Sequence, residues 1–412
     1  MRICYIADAR SPIAQNWIRY FVERGDEVHV ISSYPCASDA IPGATNYPFP
    51  IGLAHFAGSK PGTLQTSAAS SPTQKLARTL IRQVGMQPVY RLANSLAIID
   101  VYRAAPAVRR LIHDIQPQIV HAMRIPNEGI LALLTAPEGC PLLVSIWGND
   151  LTLIAAQSLL LSRYTRRVLR RADALHPDCQ RDDHLAREWG FDRSKPSMVL
   201  PGNGGVHSDI FFPAPASAEL RASLNIPVSA PVVINPRGVR AYVRNDVYFK
   251  AARLVKATIK DAVFVSIDVQ GNAAVERMID ENGLRDSVRQ IGHVPFQQMA
   301  DYFRLADVCV SPSLHDGTPN TLLEAMACGS FPVAGDIESV REWIDDGVNG
   351  LLVENGDETA LANAIIAALE NPTLRAQARE RNQRIIAERA DYQTVMRKAA
   401  SFYEQISAQP KA

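Results

Sequence analysis

No run of eighteen apolar residues occurs in this chain of 412 residues, so no segment of it reads as a membrane-crossing helix. Its six cysteines (Cys4, Cys36, Cys140, Cys179, Cys309, Cys328) form no C-x-x-C pair and have no histidine partner at zinc spacing. They read as small buried hydrophobes of a reducing compartment. The net charge is only +1, which argues against a general nucleic-acid binder, and no nucleic-acid partner is expected. Residues 1–8 enter a strand at once, without the basic, apolar and cleavage regions of a signal peptide, so a cytoplasmic location is the expectation. Asp182–Asp183 and Asp345–Asp346 read as surface pairs with no third ligand nearby in sequence, and no metal is expected.

What is present is length and an ordinary apolar fraction of 47%. One hydrophobic core rarely serves so long a chain, so two domains of about 200 residues are expected. MRICYIAD (1–8), the amphipathic AQNWIRYFVERG (14–25) and EVHVISS (27–33) make a βαβ unit, which demands a right-handed crossover and a parallel sheet. Residues 59–74 are a polar, small-residue loop, and a long helical region follows to about His113. QIVHA (118–122), PLLVSIW (141–147), DALHP (173–177) and SMVLP (197–201) continue the strands. PGNGGVHSDIFFPAPAS (201–217), rich in Gly and Pro, reads as the linker. PVVINPRG (231–238), FVSID (264–268) and VRQIG (288–292) restart the pattern. The expected fold is α/β, with two doubly wound Rossmann-like parallel-sheet domains facing a cleft. The boundaries are 1–205 and 206–390, with a last helical stretch over 391–412.

The most informative segment is SLHDGTPNTLLEAMACGSFPVAG (313–335). Asp316 and Gly317 lie in a polar loop, Thr318 offers an N-cap oxygen, and Pro319 suits the first helical position. The helix is expected to end near Cys328, with Gly329 as its left-handed stop. Leu322, Leu323 and Met326 share one face; Asn320, Thr321 and Glu324 share the other. A carboxylate is thus placed one turn above a helix N-terminus, where free N–H groups and the dipole attract phosphate. The carboxylate can accept hydrogen bonds from sugar hydroxyls, and the pair reads as a nucleotide-sugar site. The same pattern also starts an ordinary surface helix. Its position between two short apolar runs, 306–313 and 331–335, puts it at the carboxyl edge of a parallel sheet, where ligands bind.

These residues resemble the donor site of family 4 retaining glycosyltransferases, which have the GT-B fold. The signature Glu, seven residues, Glu is matched by Asp316 and Glu324, followed by Ala325, Met326, Ala327, Gly329, Pro332 and Val333. Asp316 is one methylene shorter than the usual Glu. The resemblance runs on through 345–365 and back through 291–308. It implies that the last helix crosses back onto the first domain. It also implies sugar transfer with retention, a nucleotide sugar as co-substrate, and neither cofactor nor metal. Gly317, Thr318, Pro319, Asn320 and Thr321 would line the donor site, Glu324 would hold the ribose, and Asp316 would take a sugar hydroxyl. In NPRGVRAYVRND (235–246), Arg237 matches the family's diphosphate-binding Arg, and Arg244 or Arg240 stands for its second cation. Guanidinium forks suit phosphate, although three Arg in eight residues also describe a solvated loop.

The first half would bind the acceptor, a glycan, lipid-linked or small molecule. ARSPIAQN (9–16) lacks the Gly-Gly turn common in the family. His121 matches the first His of the family's Val-His-x-His, with Met123 at the second. In SIWGND (145–150), Trp147 replaces a His, while Gly148 and Asp150 match. His121, Trp147 and Asp150 are the acceptor or cleft candidates, the Trp face being suited to sugar rings; a lone His at a strand end is also an ordinary structural residue. Residues 1–212 carry 22 Lys and Arg against 17 Asp and Glu. Lys60, Lys75, Arg78, Arg82, Arg91, Arg103, Arg109 and Arg110 face a single acid, Asp100, within 51–113. With RYTRRVLRR (163–171) they suit the headgroups of an anionic membrane at the inner face of the cell membrane, or simply a solvated helix face. A catalytically weak GT-B partner subunit, a sugar phosphorylase and a nucleotide-sugar epimerase are the alternatives to a hexosyl transferase.

Overall fold

The computed structural model describes residues 1–52, 54 and 86–408, with the backbone alone over 86–96. The first apolar run forms β1 (Arg2–Ala7), buried from Ile3 onward on both faces, as the middle of a parallel sheet requires. The helix Pro12–Glu23 follows with proline in its first turn. Ala14, Trp17, Ile18 and Phe21 are its buried stripe, spaced as an amphipathic helix demands. Gly25, at φ +88°, turns the chain into β2 (Glu27–Ser32). β3 (Thr45–Pro48), β4 (Ile119–Ala122), β5 (Leu142–Ile146) and β6 (Ala174–Pro177) complete a parallel sheet in the order β3-β2-β1-β4-β5-β6. Ile3 pairs with Val28 on one side and Ile119 on the other.

The second sheet contains β7 (Val232–Asn235), β8 (Val263–Ser266), β9 (Val288–Gln290), β10 (Val308–Ser311), β11 (Phe331–Gly335) and β12 (Leu351–Val353). Its order is β12-β11-β10-β7-β8-β9, again parallel throughout. In each sheet the order of strand addition therefore reverses once, between β1 and β4 in the first and between β7 and β10 in the second. Such switch points open a crevice at the carboxyl ends of the strands.

The chain divides into two compact units, one of Met1–Gly204 with Met396–Ala412 and the other of Gly205–Val395. The helix Tyr392–Ala408 is the segment that returns to the first unit. Its Tyr403 is wholly buried and stacks on Phe21 with ring centroids 4.5 Å apart. The Trp17 indole N–H donates to the Tyr403 hydroxyl at 3.0 Å.

Three local expectations need correction. SMVLP (197–201) is not a strand; only Ser197 bridges to Leu175. β3 and β12, both at sheet edges, were not anticipated. Asp182 is buried rather than on the surface, where Arg181 pairs with it. The loop over 59–74, with Lys60, and the cations Lys75, Arg78 and Arg82 lie outside the described residues, as does the side chain of Arg91. No helix among the described residues is long and apolar enough to cross a membrane.

Candidate active site

The switch point of the second sheet collects most of the expected donor residues. β7 ends at Asn235, a buried amide whose Nδ2 donates to Asn245 Oδ1 at 3.0 Å and whose Oδ1 accepts the Arg237 backbone N–H at 3.2 Å. That clamp shapes the turn. Gly238 lets it pass Asp268, since a Cβ there would lie 2.8 Å from Asp268 Oδ2. The turn aims the Arg237 guanidinium at Asp316, in the loop after β10, and the two form an ion pair. The Asp316 carboxyl also accepts the Gly317 N–H at 3.1 Å. Burial pushes its pKa up from the ordinary value, and Arg237 offsets only part of that.

The helix Asn320–Cys328 begins one residue later than expected. Pro319 is the N-cap residue and no side chain caps that end. The Thr318 carbonyl accepts the Asn320 N–H at 2.9 Å, and the Pro319 carbonyl accepts from Leu322 and Leu323. The first turn has therefore already used part of its donor capacity internally, leaving a weaker anion site than an open terminus. The stop is as expected, with Gly329 at φ +93°.

Glu324 is the larger surprise. The spacing puts it on a solvated face, yet it is only 6% exposed, and every residue from Leu322 to Cys328 is buried. The helices Phe296–Leu305 and Pro372–Ile385 pack against this one. Among the described residues no hydrogen bond or ion pair satisfies the Glu324 carboxyl. Burial alone pushes its pKa up to about 8. Two more buried acceptors of the same segment, Ser313 Oγ and Asn320 Oδ1, have no hydrogen-bond partner. Orphaned polar atoms each cost about 1–3 kcal/mol when buried. Such a set is what a polar ligand would satisfy.

The two candidates for the second cation differ in setting. Arg244 adopts a left-handed conformation (φ +58°) as the N-cap of the helix Asn245–Thr258. Its guanidinium bonds Asp246 at 2.9 and 2.8 Å, and a Cβ at Gly356 would lie 3.1 Å from its Nη1. Arg240 is exposed and bonds the Tyr242 hydroxyl at 3.2 Å.

In the first unit, His121 lies in the interior at 0% exposure. Its Nδ1 meets the Tyr403 hydroxyl and its Nε2 the Ser145 hydroxyl at 2.7 Å, with His176 on the far side of Ser145. Burial holds the His121 imidazole well below its usual pKa. Both ring nitrogens are committed, so this histidine fastens the C-terminal helix and does not line an open surface. Asp150 is also wholly buried and accepts from Arg124 at 2.6 Å. Arg124 lies over the Trp147 ring at 5.4 Å. The indole N–H of Trp147 is buried without a partner.

Four further polar groups sit at the carboxyl edge of this sheet and were not read from the sequence. They are Arg10, Ser33, Arg124 and Glu128. Only one signal hinted at them. Glu128 interrupts an apolar stretch (IPNEGILALL, 125–134) directly after Asn127, whose φ of +57° and ψ of −66° lie outside the ordinary regions for such a residue. Elsewhere, the ligand atoms of Asp178, Cys179 and Asp182 lie within 4.8 Å of one another. The Arg181 guanidinium already holds Asp182, and burial pushes the Cys179 thiol far up, so this group does not suit a divalent cation.

Comparison with known proteins defines the class. Over nearly the whole chain the fold is similar to HepE of Anabaena, solved with UDP (TM-score 0.71, 15% identity, 98% of this chain and 100% of that one). It is equally similar to sucrose-phosphate synthase of Thermosynechococcus elongatus (TM-score 0.71, 18% identity, 98% and 99%). Both likenesses are of fold, and the fold is GT-B. Residues 11–202 match the glycosyl transferase 4-like domain, and residues 216–385 match glycosyl transferases group 1. The chain belongs to the family 4 type of GT-B glycosyltransferases. Among curated relatives it is similar to D-inositol 3-phosphate glycosyltransferases. That of Xylanimonas cellulosilytica is 29% identical over 218 residues, 51% of this chain and 52% of the relative. That of Thermobispora bispora is 29% identical over 187 residues, 43% and 44%. The chain thus spans about half the length of these curated relatives.

Proposed function

We propose that the protein is a retaining, metal-independent glycosyltransferase whose nucleotide-sugar donor occupies the switch point of the second sheet. The observation that carries this reading is Glu324, a buried carboxyl with no partner on a helix beside the β7/β10 crevice. Ribose hydroxyls would supply the hydrogen bonds it lacks. HepE, with UDP and with UDP-glucose bound, supports a nucleotide-sugar donor for this fold. As the anomeric bond breaks, negative charge grows on the leaving diphosphate. Arg237 would neutralise that charge by giving up part of its hold on Asp316, with Arg244 or Arg240 as the second cation, Arg244 being favoured. If that exchange of partners accompanies donor binding, Arg237 is in place before the anomeric bond breaks and acts then as a fixed charge, the usual source of such stabilisation. Asp316, released from Arg237, would accept a donor-sugar hydroxyl.

The test is thermal denaturation of the full chain with UDP-, GDP-, ADP- and CDP-sugars, together with donor hydrolysis. One nucleotide class should raise the melting temperature, since a ligand at a hundred times its Kd adds about 2.7 kcal/mol. Glu324→Ala should abolish that shift and Arg237→Ala should diminish it. No shift with any nucleotide sugar would refute the donor site.

We further propose that the first unit meets an anionic membrane through the helix Leu159–Arg171. Arg163, Arg166, Arg167 and Arg170 are exposed along one face, and residues 159–171 contain no acid. Leu159, 93% exposed, and Leu160 stand at the N-terminal end of the same helix. Cations near an anionic bilayer contribute about 1 kcal/mol each, so replacing all four arginines by Gln should weaken vesicle binding by about a hundredfold or more. Sedimentation with phosphatidylglycerol vesicles checks this, and equal binding to phosphatidylcholine vesicles would refute it.

A further inference from the structure

The β1/β4 crevice of the first sheet is lined by residues from four loops that are far apart in sequence. Asp8 and Arg10 follow β1, Ser33 and Tyr34 follow β2, Arg124 to Glu128 follow β4, and Asp150 follows β5. Their charges form one connected group. Arg10 bonds Asp8 at 3.0 and 3.1 Å and lies 3.8 Å over the Tyr34 ring. Arg124 bonds Asp150 at 3.0 and 2.6 Å. Tyr34 feels the charges of Glu128, Asp8, Arg10 and Arg124 together.

Each guanidinium therefore has its own aspartate, and a third carboxyl remains. Glu128 is 5% exposed, and the Ser33 hydroxyl, at 2.5 Å, gives it its one side-chain hydrogen bond among the described residues. Among the described residues three carboxyls face two guanidiniums, so this crevice sets more carboxylate than guanidinium against an incoming phosphate. A phosphate monoester would bring further negative charge against Glu128, whereas hydroxyl groups can both donate to and accept from such a cluster. The rings of Tyr34 and Trp147, each carrying a guanidinium over one face, border the same cluster. The unusual backbone of Asn127, next to Glu128, is the kind of local strain that gathers at ligand sites.

From this we infer that the acceptor is an uncharged sugar or polyol hydroxyl, and that Glu128, set by Ser33, is the positioning residue that accepts its hydrogen bond. The inference rests on the glycosyltransferase reading and departs from the phosphorylated cyclitol in the names of the curated relatives. Burial pushes the Glu128 carboxyl up to about 7, with Arg124 and Ser33 pulling it down and Asp8 pushing it up. Near neutrality it thus exists in both forms, one accepting and one donating, and both suit a hydroxyl.

The experiment uses the full chain saturated with the donor nucleotide that the thermal screen identifies. Ligand-observed NMR compares a set of neutral mono- and disaccharides and myo-inositol with the matching phosphate monoesters, and transfer kinetics follow for those that bind. Neutral compounds should bind and be glycosylated, with the phosphate monoesters at least tenfold weaker. Glu128→Gln should raise the acceptor KM by about tenfold or more, the usual loss for one charged hydrogen bond, with donor KM unchanged. Ser33→Ala, a smaller change that leaves Glu128 in place, should raise the same constant less. Preference for the phosphate esters, equal binding of both sets, or binding of neither would overturn the inference. So would an unchanged acceptor KM in a folded Glu128→Gln protein. Loss of the nucleotide-induced thermal shift would instead count against the donor site, so the two failures are distinguishable.

Discussion

Glu324→Gln is expected to stabilise the ligand-free protein at alkaline pH while removing its response to nucleotide sugars. The Glu324 carboxyl moves from an ordinary 4.5 to about 8 on folding. Between those values the folded state holds a proton that the unfolded state has released, so stability falls as pH rises through this window. Below about 4.5 the side chain is neutral in both states and carries no penalty. Above about 8 the penalty is complete, on the order of 5 kcal/mol at most by the linkage of about 1.4 kcal/mol per pH unit. Urea denaturation at several pH values from 5 to 8.5 should show wild type losing stability, with a flatter slope in Glu324→Gln. Glu128 supplies a second slope of the same sign, since its carboxyl is also pushed up, to about 7. Some pH dependence should therefore persist in the Glu324 variant. Identical slopes in wild type and variant would mean that Glu324 finds a partner or water in the ligand-free protein.

Tyr403→Ala should be strongly destabilising. The ring is wholly buried against Phe21, and its hydroxyl meets both Trp17 and His121. Removing a buried aromatic ring typically costs about 3–5 kcal/mol, and stranding the buried Trp17 and His121 nitrogens adds about 1–3 kcal/mol for each left unpaired. Tyr403→Phe keeps the ring and should cost only the second part. Calorimetry of the two variants gives the comparison. If Tyr403→Ala melts within about a degree of wild type, the last helix is not what completes the first unit. His121 belongs to the same network, so its substitution should lower stability and leave the KM of any acceptor nearly unchanged.

These two residues also mark what the sequence could and could not disclose. The strand–loop–helix–strand at 306–335 was legible because its signals are local: apolar runs, Gly317, Pro319 and the Gly329 stop lie within thirty residues. The burial of Glu324 was not, because the nine-residue periodicity of Asn320–Cys328 cannot register what packs around that helix from elsewhere in the chain. His121 was visible as a histidine at a strand end, but its partner Tyr403 lies 282 residues away. The Ser33–Glu128 contact spans 95 residues, and none of the four loops in that crevice carries a motif of its own. Asp150 was singled out from the sequence as a cleft residue, but its partner Arg124 could be named only once β4 and β5 were known to be neighbours.

The division of the chain has a consequence for its birth. The first unit needs Met396–Ala412 to be whole, while the second is continuous from Gly205 to Val395. All six strands of the first sheet lie before residue 178, whereas the helix that covers Trp17, Phe21 and His121 is made more than 200 residues later. Until then the Trp17 and His121 nitrogens and the face of Phe21 lack the side chain that covers them. A nascent chain stalled near residue 395 would therefore leave the seam of Trp17, Phe21 and His121 uncovered, the kind of exposed apolar surface that makes incomplete chains prone to aggregate.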